Sequence, residues 1–380
     1  MVTFSALNTL WFALIGLLWA GYFFLEGFDF GVAVVTPFII SDETDRRMCL
    51  NSVGPVWDGN EVWLLTAGGA TFAAFPLWYA RMFSGFYLAL FLVLLALIFR
   101  GVSFEFRGRE NRQSWRRTWD VANFVGSLIP AVVWGVAFTD LVHGVPLSPD
   151  GRYYGGLIGL LHPVALLGGL ASLAVFSLHG SVFLSLKTSG DLAVRARRAA
   201  RVAGAAAVVL LGGTVAWLAV AGRPSVAGQV SGALPLVLGI AAVVSVAVAT
   251  LLSQRGRDGL AFGFTGGSIL IAMGAVFSRM FPSVFPASNR AVNGLTIAQA
   301  ASQHNALIVM TIVAAIFVPI VLLYQGWTYW VFRQRLIRGP SAAGDGGGGK
   351  ARPAAPSAAP APAVAPGTAV APGTQLAPEG

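Results

Sequence analysis

Long apolar runs separated by short polar segments dominate the chain. A run of about 20 apolar residues is long enough to cross a lipid bilayer as a helix. Nine such runs lie at about residues 6–39, 50–75, 79–100, 118–142, 155–186, 199–221, 233–253, 259–281 and 303–332. The pattern therefore predicts an all-α polytopic membrane protein with nine transmembrane helices. The first, fifth and ninth runs are longer than a bilayer requires, so we expect these helices to tilt, kink or extend beyond the lipid.

Residues 339–380 differ in composition from the rest of the chain. Glycine, alanine and proline dominate this segment, and such a segment buries too little apolar surface to fold by itself. We therefore predict two parts, a transmembrane domain over residues 1–338 and a disordered tail over residues 339–380.

The composition supports a membrane protein and excludes several other classes. Of 380 residues, 56% are apolar and only 11% are charged, and the mean hydropathy is +0.72. Soluble domains carry about a quarter charged residues, so a soluble globular enzyme is excluded. The single cysteine excludes a disulfide framework and a cysteine-ligated metal cluster. The net charge of +9 comes from basic residues between the apolar runs, so we expect no binding to nucleic acid.

The basic residues are concentrated in alternate loops. Of the 25 lysines and arginines, 20 lie in one set of segments, namely 41–50, 100–117, 187–201, 254–258 and the residues after 332. Basic residues are enriched in the cytoplasmic loops of membrane proteins. We therefore predict that the N-terminus faces the periplasm and that the C-terminal tail lies in the cytoplasm.

Four acidic residues lie inside apolar runs near the N-terminus: Glu26, Asp29, Asp58 and Glu61. Ionisable residues at membrane depth are energetically unfavourable and are candidates for function. Each pair is three residues apart and so shares one face of a helix. An antiparallel hairpin of the first two spans would bring all four carboxyls to a similar depth. Crowded carboxyls cannot all ionise, which suits a proton relay.

Structural alternatives exist for each of these acids. If the second helix starts at Pro55, Asp58 lies in its first turn and complements the helix dipole. Either Glu26 or Asp29 can instead pair with Arg100, at the end of the third run. We favour a relay role for Asp58 and Asp29 and a supporting role for Glu26 and Glu61.

Two further groups of polar residues are interpreted as structural. Asp120 is expected to cap the fourth helix. The four histidines, His143, His162, His179 and His304, are expected to serve in polar packing, because no repeated pair on facing helices is evident. A haem-binding protein would use His179 and His304. Zinc-protease, P-loop and nucleophile-elbow motifs are absent from the sequence, so we predict no metal site.

Three segments resemble a known family. Residues 27–31 read Gly-Phe-Asp-Phe-Gly, residues 57–64 read Trp-Asp-Gly-Asn-Glu-Val-Trp-Leu, and residues 67–76 read Ala-Gly-Gly-Ala-Thr-Phe-Ala-Ala-Phe-Pro. These motifs closely resemble subunit II of the cytochrome bd quinol oxidases. The resemblance is dense over residues 10–145 and weaker afterwards, where it includes Val-Pro-Ile at 318–320.

The resemblance implies a haem-free smaller subunit in the bacterial cytoplasmic membrane. Such a subunit has two four-helix bundles and one peripheral helix, and it forms a heterodimer with the larger subunit I, which carries haems b and d. The complex oxidises quinol, reduces dioxygen to water and takes protons from the cytoplasm. The acid in Trp-Asp-Gly-Asn, here Asp58, belongs to the proton route. The family also allows a structural quinone or lipid between helices and a small accessory subunit.

Two other functions compete with this interpretation. A stand-alone proton-coupled transporter could use the same carboxyls, but it would bind solute at interrupted helices, and no matching pair of such helices is evident. A haem-bearing subunit would ligate haem through His179 and His304, and its optical spectrum would reveal this.

Overall fold

The structure is a computed structural model that describes residues 5–220, 233–289 and 294–338. Thirteen helices and two short strands are formed there, in the following order: α1 Ala6–Ile39, α2 Glu43–Val53, α3 Trp57–Ala74, α4 Pro76–Gly85, α5 Tyr87–Phe106, α6 Gln113–His143, α7 Gly156–Gly159, α8 Pro163–Lys187, α9 Gly190–Val220, α10 Leu234–Gln254, α11 Asp258–Met280, β1 Ser283–Phe285, β2 Leu295–Thr296, α12 Ile297–Ala300 and α13 His304–Val331. The predicted all-α membrane fold is confirmed. The predicted disordered tail, residues 339–380, lies outside the described residues.

Eight helices in the described ranges are long and apolar enough to cross a membrane: α1, α5, α6, α8, α9, α10, α11 and α13. The second predicted run, residues 50–75, corresponds to α3. This helix has only 18 residues, and Asp58, Asn60 and Glu61 near its start lower its hydropathy. The predicted total of nine spans is therefore not confirmed by length and composition.

The short helix α2 was not predicted. Its N-cap is Asp42, whose carboxylate accepts a hydrogen bond from the Asp45 backbone N–H at 2.9 Å. Glu43 and Asp45 in the first turn complement the helix dipole. These local signals start a helix that contains few apolar residues, so a search for long apolar runs does not find it.

The backbones of α1 and α8 touch where two glycines meet. A Cβ atom at Gly31 would overlap the carbonyl oxygen of Phe176, and one at Gly180 would overlap the backbone of Gly31. Small residues allow this approach of membrane helices. The contact places α1 in the interior of the fold, and 21 of its 34 residues are buried. Polar residues on α1 are therefore held away from lipid.

The remaining long helices are arranged around α1. Helices α3, α6, α8 and α11 pack against it, and α5 packs on α6. Helices α8, α9, α10 and α11 pack in succession, with α11 returning to α8. Helix α13 is peripheral, since Leu307 is its one buried residue. This arrangement agrees with the peripheral helix that the family resemblance implies.

Ion pairs join the helices at one end of the fold, which we call the arginine-rich end. Arg107 donates hydrogen bonds to Glu43 at 2.9 and 3.0 Å and to Asp120 at 2.6 Å. The hydrogen bonds from Arg107 lower the pKa of Glu43. The prediction that Asp120 caps a helix is wrong, because α6 already begins at Gln113. Asp120 instead links α6 to α2 and to the end of α5.

Candidate functional site

Three carboxylates and one guanidinium gather between α1, α3 and α5. We call Glu26, Asp29, Glu61 and Arg100 the carboxylate–arginine cluster. Arg100 forms an ion pair with Glu26, and its Nη1 lies 3.8 Å from Oε2 of Glu61. Glu26, Asp29 and Arg100 are buried, whereas the Glu61 side chain is 24% exposed. The three-residue spacing of Glu26 and Asp29 thus places both acids on the interior face of α1.

Aromatic rings hold the guanidinium of Arg100 in place. Its Cζ lies 5.1 Å from the ring centre of Phe30 and 5.8 Å from that of Phe104. The faces of aromatic rings attract cations within about 6 Å. The ring of Phe104 is in turn stacked on Trp57, with 4.9 Å between the ring centres. The positive charge therefore has a defined position next to the carboxylates.

Asn60 connects the cluster to the peripheral helix α13. Its Nδ2 donates a hydrogen bond to Oδ2 of Asp29 at 2.7 Å. Its Oδ1 accepts hydrogen bonds from Oη of Tyr329 at 2.7 Å and from Nε2 of Gln325 at 3.1 Å. Asn60, Gln325 and Tyr329 were not predicted as site residues. Gln325 and Tyr329 are four residues apart on a largely apolar helix, so their polar side chains share one face. This spacing was the sequence pattern that could have identified them.

The cluster contains more acidic groups than basic ones. Arg100 can neutralise one carboxylate, and an uncompensated buried charge is strongly unfavourable. We therefore expect at least one of the three acids to hold a proton. Oε2 of Glu26 and Oδ1 of Asp29 have no hydrogen-bond partner within the described part of the protein. Such oxygens can accept and release protons through water.

Asp58 lies outside the cluster. It is exposed and occupies the first turn of α3. This is the position expected if Asp58 complements the dipole of that helix. Successive helix residues are rotated by about 100°, so Asp58 and Asn60 point to opposite sides of α3. The structure therefore brings together three of the four expected carboxyls. Asp58 shares its exposed face with apolar residues such as Leu65 and Phe72, which are 74% and 58% exposed.

The comparisons with known proteins identify the family. The family model described as cytochrome bd terminal oxidase subunit II matches residues 7–332. The chain belongs to this family. It is 40% identical to cytochrome bd ubiquinol oxidase subunit 2 of Bacillus subtilis (strain 168), over 87% of this chain and 97% of that one. It is 36% identical to cytochrome bd-I ubiquinol oxidase subunit 2 of Escherichia coli (strain K12), over 89% and 97%.

The fold is also similar to that of a solved oxidase. A chain from the bd oxidase of Geobacillus thermodenitrificans superposes with a TM-score of 0.57 at 10% sequence identity, covering 86% of this chain and 97% of that one. The resemblance inferred from the sequence motifs is thus confirmed, and the chain is a subunit of a bd-type terminal oxidase. Membership of an oxidase family also removes support for the stand-alone transporter.

Two of the four histidines of this subunit II, His179 and His162, have polar partners in the protein. Nδ1 of His179 lies 2.6 Å from Oγ1 of Thr265, and Nε2 lies 3.1 Å from the carbonyl oxygen of Phe24. Both ring nitrogens are therefore occupied, which does not suit haem ligation. Nε2 of His162 lies 2.7 Å from Oδ1 of the buried Asp140, and burial lowers the pKa of His162. His304 begins α13 and is exposed.

Proposed function

We propose that this subunit II and a haem-bearing subunit I form a quinol oxidase in the bacterial cytoplasmic membrane. The complex oxidises quinol and reduces dioxygen to water, with haems b and d in subunit I. This chain supplies a scaffold and a path for protons. The observation that carries the proposal is the buried carboxylate–arginine cluster in a member of the subunit II family. Reduction of dioxygen to water consumes protons, and a cluster with excess carboxylates can deliver them.

The arginine-rich end is the side from which the protons come in this proposal. From the positive-inside rule we infer that this end lies in the cytoplasm. Asp29 lies ten residues before the last residue of α1, or roughly 15 Å from that end of the helix. The cluster is thus closer to the cytoplasm than to the opposite side, as a site of proton uptake requires.

The exposed face of α3 provides contact with subunit I in our proposal. Leu65 lies two helix turns from Asp58 on the same exposed face, and a carboxylate on a lipid-facing surface would be unfavourable. The same face packed on a partner subunit would give Asp58 polar neighbours. Asp58 lies one helix turn from Glu61, the partly exposed member of the cluster. We therefore propose that protons pass from Asp29 and Glu26 through Glu61 to Asp58, and from there into subunit I.

A largely apolar cavity of about 340 Å³ fits the structural quinone or lipid that the family allows. It lies between α1, α6, α8, α9, α10 and α11. Aromatic and aliphatic side chains line it, among them Trp134, Phe138, Val175, Leu211 and Met273. Such a lining suits an isoprenoid or acyl chain. We propose a structural role for this ligand, since no residue of the carboxylate–arginine cluster lines the cavity.

The experiment that tests the proton path is the substitution Asp58→Asn in the intact oxidase. It removes the titratable group and preserves the size of the side chain. We expect a severe loss of quinol-dependent oxygen consumption with unchanged haem absorption. The matched control is Glu110→Gln, an exposed acid at the same end, which should leave turnover unchanged. Full turnover of the Asp58→Asn oxidase would exclude the relay role of Asp58.

A further inference from the structure

A second cavity lies at the arginine-rich end, next to α13. Its volume is about 570 Å³, and we call it the α13 cavity. It is bounded by residues 51–56, by the end of α8 and by residues 329–336. Its rim is exposed and mixed, with Asn51, Arg333 and Gln334 beside the apolar Val331 and Phe332, whereas Val56 and Phe183 on its inner wall are buried. The cavity therefore extends from the protein surface into the helix bundle.

Tyr329 separates this cavity from the carboxylate–arginine cluster. Its side chain lines the cavity, and its hydroxyl donates to Oδ1 of Asn60 at 2.7 Å. Asn60 in turn donates to Asp29 at 2.7 Å. Two hydrogen bonds thus connect the cavity wall to a buried carboxylate. A neighbouring cavity lined by Trp57, Phe104 and Arg107 includes no residue that is hydrogen-bonded to the cluster.

Asn60 orients the acid and does not itself carry protons. A neutral amide does not exchange a proton readily, but it offers an oxygen acceptor and an NH₂ donor at opposite positions. Because Tyr329 and Gln325 both donate to Oδ1, the NH₂ group is directed at Asp29. Tyr329 is therefore a positioning residue for Asp29.

We propose that the α13 cavity is the route by which water carries protons to Asp29, with Tyr329 as its inner gate. The inference rests on the proposed function. Polar groups of Asn51, Ser52, Lys187 and Tyr329 can hydrogen-bond water in this space. When Tyr329 moves aside, a hydronium ion gives one proton to Oδ1 of Asp29 and leaves as water. This oxygen has no hydrogen-bond partner among the described side chains, so it is able to accept.

The position of Tyr329 suits a gate. Helix α13 contributes one buried residue, Leu307, and the segment that follows it is hydrogen-bonded to Lys187, so the gate opens by rotation of the Tyr329 side chain and not by movement of the helix. The Tyr329 side chain is half-buried, with Asn60 on one side and the cavity on the other. Opening of the gate requires loss of the hydrogen bond to Asn60, which has a modest net free energy, and of an edge-on ring contact with Phe28.

Blocking the cavity tests the route. Gln334→Cys in the intact oxidase would place a thiol on the rim, to be labelled with a bulky uncharged maleimide. The natural Cys49 is buried, and burial raises the pKa of its thiol to about 11, so it should stay unlabelled. We expect the adduct to slow oxygen consumption several-fold with an unchanged haem spectrum. The control is Asn111→Cys, which lines the neighbouring cavity and should tolerate the same label. Full turnover of the labelled Gln334→Cys oxidase would overturn the proposal.

The substitution Tyr329→Phe tests the gate. It removes the hydroxyl that holds Asn60, and we expect turnover to fall by about 2- to 10-fold, the range that corresponds to one hydrogen bond. The solvent deuterium isotope effect should also change, which a purely structural loss would not produce. Tyr324→Phe is the control, since Tyr324 is exposed on the same helix. Equal rates and isotope effects for the two variants would contradict the gating role.

The substitution Asp29→Asn separates the two proposals. If Asp29→Asn retains full turnover, then the carboxylate–arginine cluster conducts no protons and the proposed function fails. If Asp29→Asn is inactive while both the cavity label and Tyr329→Phe have no effect, then only the route through the α13 cavity is wrong.

Discussion

Arg100 on α5 and Glu26 on α1 form an ion pair in which neither side chain is exposed. The pair joins two helices that are distant in sequence, and it lies next to Asp29 and Glu61. It is both a structural connection and the source of positive charge for the neighbouring acids. The effects of substitutions at this pair therefore separate assembly from proton transfer.

Removal of the arginine should impair assembly. Arg100→Ala leaves Glu26 buried without a counter-ion, and breaking a buried ion pair in this way destabilises a protein by about 3–5 kcal/mol. We expect little assembled oxidase, measured as haem absorption per amount of purified complex. Arg109→Ala is the control, since Arg109 is exposed at the same end. A normal haem spectrum and yield for Arg100→Ala would argue against the structural role.

Neutralising Asp29 should preserve assembly of the oxidase and reduce its turnover, whereas removal of Arg100 should impair assembly. Asp29→Asn preserves an oxygen that can accept the hydrogen bond from Asn60, so we expect the complex to assemble. It removes a proton acceptor from the cluster, so oxygen consumption should fall by at least about tenfold, as is usual for loss of a proton-transfer group. Haem absorption and oxygen consumption should be measured on the same sample. A variant that loses both equally would indicate a structural role for Asp29.

The contact between α1 and α8 should be intolerant of a larger residue. Gly31→Ala introduces a Cβ that would overlap the Phe176 carbonyl oxygen. Overpacking of this kind costs about 1–3 kcal/mol, so we expect a lower thermal unfolding midpoint of the purified complex. Gly263→Ala on α11 is a matched control, because Gly263 is exposed and a Cβ there meets no atom within 4 Å. Equal unfolding midpoints for the two variants would mean that α1 and α8 can move apart without a loss of stability.

The pairing of Glu43 with Arg107 should make stability depend on pH. The hydrogen bonds from Arg107 lower the pKa of Glu43 in the folded protein. A lowered pKa contributes stability that is complete above the ordinary glutamate pKa and is lost as the pH falls through the folded-state value. We therefore expect Glu43→Gln to lower the unfolding midpoint at neutral pH and to have a smaller effect under acidic conditions. A difference from the natural protein that grows on acidification would contradict this sign.

Local sequence patterns predicted much of the fold. The apolar runs placed the long helices, since a run of this length needs either a bilayer or a large core. The three-residue spacing of Glu26 and Asp29 correctly placed both on one face of α1. The motif Trp-Asp-Gly-Asn identified the family. By contrast, α2 and the true start of α6 were missed, because a polar cap rather than apolar length defines α2 and α6 begins in the polar residues 113–117.

The sequence by itself determined where the long apolar helices form, which acids lie inside them and to which family the chain belongs. Only the tertiary structure decided that Asn60 faces Asp29 while Asp58 faces outwards, and that Tyr329 and Gln325 reach Asn60 across 265 or more residues of chain. Helix periodicity reports which residues share a face. It does not report which face meets which helix, because that depends on packing between segments that are far apart in the sequence.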